Sequence, residues 1–194
     1  GLTSNTTYTV EVRAVCDDQQ SAWVTTNFTT LEEQGESPCA TITEYPFFES
    51  FEEGIGCWTS TTLAGSGAWL QEDWFISMNG FDAVTLPAVD GAKLMKHSAI
   101  TGYSARLESP VLDLTSLETP YVKFNFGLTD MYGMSQDHLT VKYRTSATAE
   151  WTTLATYTTP LSEWVLDSIA LPNPTATYQI GFESLGANAW GVVL

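Results

Sequence analysis

The chain of 194 residues carries 23 Asp and Glu against 7 Lys and Arg, a net charge of −16 with a pI near 4.1. That balance excludes nucleic acid and anionic membrane surfaces as partners, since both need a basic face. Charged residues make up only 15% and hydrophobic ones 43%, so the composition supports a packed core rather than a disordered acidic tail. The 28 Thr and 24 aromatic residues are β-sheet composition. No apolar run of about 18 residues is present, so no membrane-inserting helix is predicted. Residues 1–30 lack a basic and then apolar leader, and the chain reads as one piece of a larger secreted or cell-surface polypeptide.

From the N-terminus, residues 8–15 alternate, with Tyr8, Val10, Val12 and Ala14 on one face and Thr9, Glu11 and Arg13 on the other. The pattern predicts a half-buried strand, and residues 23–29 predict a second after a turn-rich stretch. Two strands alone are marginal in water, so residues 1–30 read as part of a larger unit. Residues 31–39 form an acidic linker with Gly35 and Pro38. From residue 40 onward, short strands are separated by turn residues. Strands are predicted near 68–71 and 74–78, then at 121–126, 138–145, 164–171 and 178–182. Pro110, Pro120, Pro160, Pro172 and Pro174 fall at turns. Together these predict an all-β antiparallel sandwich.

The three cysteines suit an oxidising compartment. Cys39 and Cys57 are close enough in sequence for a disulfide that clamps the linker to the first strand, leaving Cys16 odd. Cys16–Cys39 is the other pairing, and spacing does not choose between them. Trp58, Trp151, Trp164 and Trp190 lie in or beside strand patterns and are assigned to the core. Trp69 and Trp74 sit in a loop-rich stretch and, with Tyr103 and Tyr132, are the aromatics expected at the surface, where flat rings stack on sugars. His97 and His138 lack zinc spacing, and His138 reads as a surface residue. Glu108 and Glu183 sit in no recognisable catalytic motif, and no Gly-x-Ser-x-Gly elbow occurs, so no enzyme activity is predicted.

Two families are similar. Residues 1–30 resemble the last strands of a fibronectin type III module, on Gly1-Leu2-Thr3, the run Thr7-Tyr8-Thr9-Val10-Glu11-Val12-Arg13-Ala14, Ser21-Ala22-Trp23 and Phe28-Thr29-Thr30. Residues 47–194 resemble the jelly-roll adhesin modules of the gingipain and haemagglutinin type, the cleaved-adhesin domains related to MAM domains. The carrying blocks are Phe48-Glu49-Ser50-Phe51-Glu52-Glu53-Gly54-Ile55 with Cys57-Trp58, then Ser104-Ala105-Arg106-Leu107-Glu108-Ser109-Pro110-Val111-Leu112-Asp113-Leu114, read as an edge strand and its turn. Val122-Lys123-Phe124-Asn125-Phe126 follows, leading through Asp130 and Tyr132 to Asp137-His138-Leu139-Thr140-Val141. Trp164 and Ile180-Gly181-Phe182 complete the series.

The resemblance implies an antiparallel jelly-roll β-sandwich over 40–194, behind a partial fibronectin type III-like segment over 1–30. It implies a last strand that runs on past Leu194. It also implies a structural calcium ion near Glu49 and Glu52, with Asp130 and Asp137 as partners from distant chain, within a shell of six to eight oxygens. The expected function is a non-catalytic extracellular adhesion or binding module of a multidomain protein, calcium-stabilised, with a host or matrix protein or a glycan as ligand. The alternative is a substrate-targeting accessory domain of a secreted peptidase or glycan-degrading enzyme.

Overall fold

The computed structural model describes residues 3, 6–16, 19–30, 39–79, 82–97, 101–128, 137–161, 163–187, 189 and 191–194. They form two compact units, Gly1–Cys39 and Ala40–Leu194. Cys39 and Cys57 are both disulfide-bonded, and Cys16 is an exposed free thiol.

In the first unit, β1 (Thr7–Val12) pairs antiparallel with β4 (Val24–Thr29), and β2 (Val15–Cys16) with β3 (Gln19–Gln20). The single strand predicted over 8–15 is therefore interrupted at residues 13 and 14, where Ala14 exchanges hydrogen bonds with Ser21. Tyr8 stacks on Phe28 at 5.8 Å. The rest of the apolar stripe is bare, with Val12 60% and Val24 69% exposed. Among the described residues of this unit, no second layer covers that face.

The second unit is a sandwich with no helix among the described residues. Its strands are β5 (Thr59–Ala64), β6 (Trp69–Glu72), β7 (Phe75–Asn79), β8 (Asp82–Leu86), β9 (Leu94–His97), β10 (Ser104–Glu108), β11 (Tyr121–Leu128), β12 (His138–Arg144), β13 (Thr152–Tyr157), β14 (Val165–Ala170), β15 (Gln179–Leu185) and β16 (Val192–Val193). One sheet has the order β13-β12-β15-β10-β5 and the other β14-β11-β16-β9-β6, while β7 and β8 form a separate hairpin. Every strand pairing is antiparallel, as a jelly roll requires. β10, expected at an edge, lies between β15 and β5. The loop-rich stretch before residue 91 holds four strands, two more than the sequence pattern predicts.

Alternation decides which residues enter the core. Leu139 and Val141 of β12, Ala105 and Leu107 of β10, and Ile180 and Phe182 of β15 are buried from one sheet. Phe124, Phe126 and Leu128 of β11 meet them from the other. Each such side chain contributes on the order of 1.5–3 kcal/mol on burial. Aromatic edges lock the layer, with Phe124 5.1 Å from Phe182 and Phe51 5.5 Å from Trp58.

Two buried polar groups fix the end of the sandwich. Asp137 is fully buried, and its carboxylate accepts backbone N–H groups from Ala187 at 2.6 Å, Gly191 at 2.7 Å and Ala189 at 3.4 Å. Burial pushes its pKa above the usual carboxylate range, while the three N–H donors and His138 act the other way. His97 is also fully buried; its Nδ1 lies 2.9 Å from Ser184 Oγ, and its Nε2 has no hydrogen-bond partner among the described residues. Burial lowers its pKa from 6.5 to about 4.

Two predictions follow from these groups. Asp137→Asn places an amide N–H against backbone donors and should cost about 3 kcal/mol in urea unfolding, against less than about 0.5 for exposed Glu150→Gln. Equal losses for the two variants would show that Asp137 is not a fixing point. For His97, the unfolded chain binds a proton below pH 6.5 that the folded chain refuses until about pH 4. Stability should therefore fall by roughly 3 kcal/mol as pH drops through that window. In His97→Asn, which keeps a partner for Ser184, that portion of the pH slope should vanish.

Candidate ligand-binding face

The outward residues of β10, β12 and β15 form one polar surface, because each strand turns its even-spaced apolar set inward. Cross-strand register places Lys142 and Glu108 on either side of Gly181, and Thr140 and Arg106 on either side of Glu183. Three of the chain's seven cationic side chains, Arg106, Lys142 and Arg144, stand here. Arg106 Nη2 and Lys142 Nζ each lie 2.9 Å from Glu183 Oε2, and Arg144 Nη2 lies 3.3 Å from Glu108 Oε2. Arg144 also donates to Gln179 Oε1 at 2.7 and 2.9 Å, and Gln179 in turn donates to the Ser109 carbonyl.

Over this grid lies Trp151, from the turn between β12 and β13. Its ring centroid is 4.6 Å from the guanidinium carbons of both Arg106 and Arg144. Gly181 is its seat: a Cβ there would fall 2.8 Å from Trp151 Cζ3 and 2.7 Å from Arg106 Cδ. The ring can come this close to the sheet only because the central strand has no side chain beneath it. Trp151 is therefore a half-buried surface ring, not the core residue its strand-like surroundings suggest. The sequence signal for it is Gly181 itself, a glycine inside an otherwise alternating strand.

Burial raises the Glu183 carboxyl, but hydrogen bonds from Lys142 and Arg106 and their charges outweigh that, and its pKa lies below the usual carboxylate range. Glu183 is thus held ionised. A glycosidase acid needs the reverse, a carboxyl kept protonated at working pH.

The aromatic residues expected at the surface divide. Trp69 is 2% exposed and donates from Nε1 to the Ala105 carbonyl across the sandwich, so it belongs to the core. The pattern around it looks loop-like, but β6 alternates and turns it inward. The half-buried Tyr103 ring covers Gly65, where a Cβ would meet its Cδ1 at 2.3 Å. Trp74 is 42% exposed, with Lys96 Nζ 5.0 Å from its ring. Tyr132 and Asp130 lie outside the described residues.

The acidic residues expected to hold calcium have other partners. Glu49 Oε1 accepts the Phe51 N–H at 2.8 Å. Glu52 Oε1 accepts from Ala92 and Lys93 at 2.7 and 2.6 Å, its carboxylate seated over Gly91. Both Asp137 oxygens face N–H donors. Glu52 Oε1 and both Asp137 oxygens are thus engaged by backbone N–H groups. No group of three or more His, Cys, Asp or Glu suited to a metal occurs among the described residues.

No protein-family model matches the chain, and no curated protein matches it in sequence. Several solved structures are similar in shape. One, described as a carbohydrate-binding module of the β-sandwich superfamily with promiscuous specificity, is 14% identical with a TM-score of 0.46, over 97% of this chain and 71% of that one. A family 61 module solved with β-1,4-galactotriose is 12% identical with a TM-score of 0.46, over 74% and 88%. The C-terminal family 22 carbohydrate-binding module of Clostridium thermocellum Xyn10B is 16% identical with a TM-score of 0.43, over 77% and 88%.

Proposed function

We propose that the chain is a non-catalytic binding module that takes a glycan on the outer face of the β13-β12-β15-β10-β5 sheet. The observation that carries this reading is Trp151 lying over Gly181 inside a ring of hydrogen-bonding side chains. A sugar ring has one apolar C–H face and a girdle of hydroxyls. An indole supplies the flat partner for the first, and Arg, Lys, Glu and Gln supply donors and acceptors for the second. The groups are braced by one another, with side-chain exposures of 12% to 23%, so ordering them on binding costs little. The ionised Glu183 is a ready acceptor for sugar hydroxyls. The disulfide-bonded Cys39 and Cys57 support an extracellular setting, and the likeness to cleaved-adhesin and fibronectin type III sequences supports a place in a multidomain surface protein.

Affinity electrophoresis against a panel of neutral and acidic polysaccharides tests the reading. At least one should retard the protein. Trp151→Ala should weaken that retention roughly tenfold or more while shifting Tm by only a few degrees. Gly181→Ala, which leaves the indole in place but lifts it from its seat, should weaken retention in the same way. Retention untouched by both substitutions, or no retention by any polysaccharide, would overturn it.

A further inference from the structure

The face around Trp151 extends well beyond the indole. Opposed residues of neighbouring strands share a face, so the pairing of β13, β12, β15, β10 and β5 lays down two outward rows. One runs Thr156, Thr140, Glu183, Arg106, Thr61, and the other Thr153, Lys142, Gly181, Glu108, Thr59. With strands about 4.8 Å apart and residues about 3.4 Å apart along them, each row is about 19 Å long and the two lie about 7 Å apart. Every position but one carries a hydroxyl or a charged group. The exception is Gly181, where Trp151 comes in. Both rows therefore run from one outer strand of the sheet to the other without an apolar side chain.

The charges of the rows answer one another. Arg106 lies 3.5 Å from Glu108 and 2.9 Å from Glu183, and Lys142 lies 2.9 Å from Glu183. Arg144, beside the rows, lies 3.3 Å from Glu108. Each of these cations thus already has a carboxylate partner. A polyanion would have to break those pairs to gain a cation, and would first have to approach a molecule of net charge −16. Hydroxyl groups meet neither obstacle. They can donate to the free lone pairs of Glu108 and Glu183, and accept from Arg, Lys and Thr, without separating an ion pair.

We infer that the ligand of this face is a stretch of several sugars of a neutral, linear polysaccharide, laid across the strands. The inference rests on the glycan reading above and adds to it charge class, direction and length. Affinity electrophoresis of the full chain sets hydroxyethyl cellulose against carboxymethyl cellulose, galactan against polygalacturonate, and dextran against dextran sulfate. A neutral member should retard the protein, with retention lost in Trp151→Ala and changing less than about twofold between about 0.05 and 0.5 M NaCl. In calorimetry the tetrasaccharide of the retaining backbone should bind at least about tenfold more tightly than the disaccharide. Thr59 and Thr156 are exposed at opposite ends of the platform. Changing both to Val should weaken the tetrasaccharide about tenfold and leave the disaccharide unchanged. Trp151-dependent retention by an acidic member over its neutral counterpart, a tenfold loss with salt, equal binding of the two oligosaccharides, or indifference to the double variant would each overturn the inference and leave the glycan reading standing. No retention, or retention indifferent to Trp151→Ala, would overturn both.

Discussion

A single carboxylate organises the far end of the sandwich. Asp137 is wholly buried at the start of β12, and the three N–H groups it gathers belong to the segment that leads from β15 into β16. Without that anchor the segment would have to find other acceptors for three donors, those of Ala189 and Gly191 buried, which is costly in an apolar interior. With it, β16 is delivered between β11 and β9 in a fixed register, and the two sheets are closed over a shared aromatic core. His97 sits on the next strand in line, pairing with Val192, and its contact with Ser184 ties the second sheet to the first. The two groups work as a polar hinge pin in an otherwise apolar layer.

The outer face depends on a different economy of space. Removing one side chain, at Gly181, lets an indole lie on the sheet and lets two guanidinium groups approach it from their own strands. The ion pairs around it are largely buried, with side-chain exposures of 12% to 23%. Their effect is geometric, because each long side chain is held at both ends of a bridge and cannot wander.

Much of the fold could be read directly where alternation is strict and the strand is central. β11, β12 and β15 have period-two apolar patterns because both neighbours and one face are fixed by the sandwich. β5 and β13 are harder to read because Thr recurs on both of their faces, so the period is faint. The site was harder. Trp69 and Trp151 exchange their expected places, since a tryptophan in a loop-like stretch and one beside a strand look alike until pairing is known. Asp137 and Glu52 carry charge, which in sequence suggests cations, yet both serve as acceptors for backbone N–H groups. Backbone donors have no letter in the sequence, and a carboxylate that binds them cannot be told from one that binds metal.

The net charge of −16 has a consequence for how the protein behaves in concentrated solution. Copies of the same sign repel one another at long range. That repulsion reaches about 10 Å at 0.1 M salt and about 3 Å at 1 M. Ionic strength therefore sets how closely two copies of this strongly acidic sandwich approach.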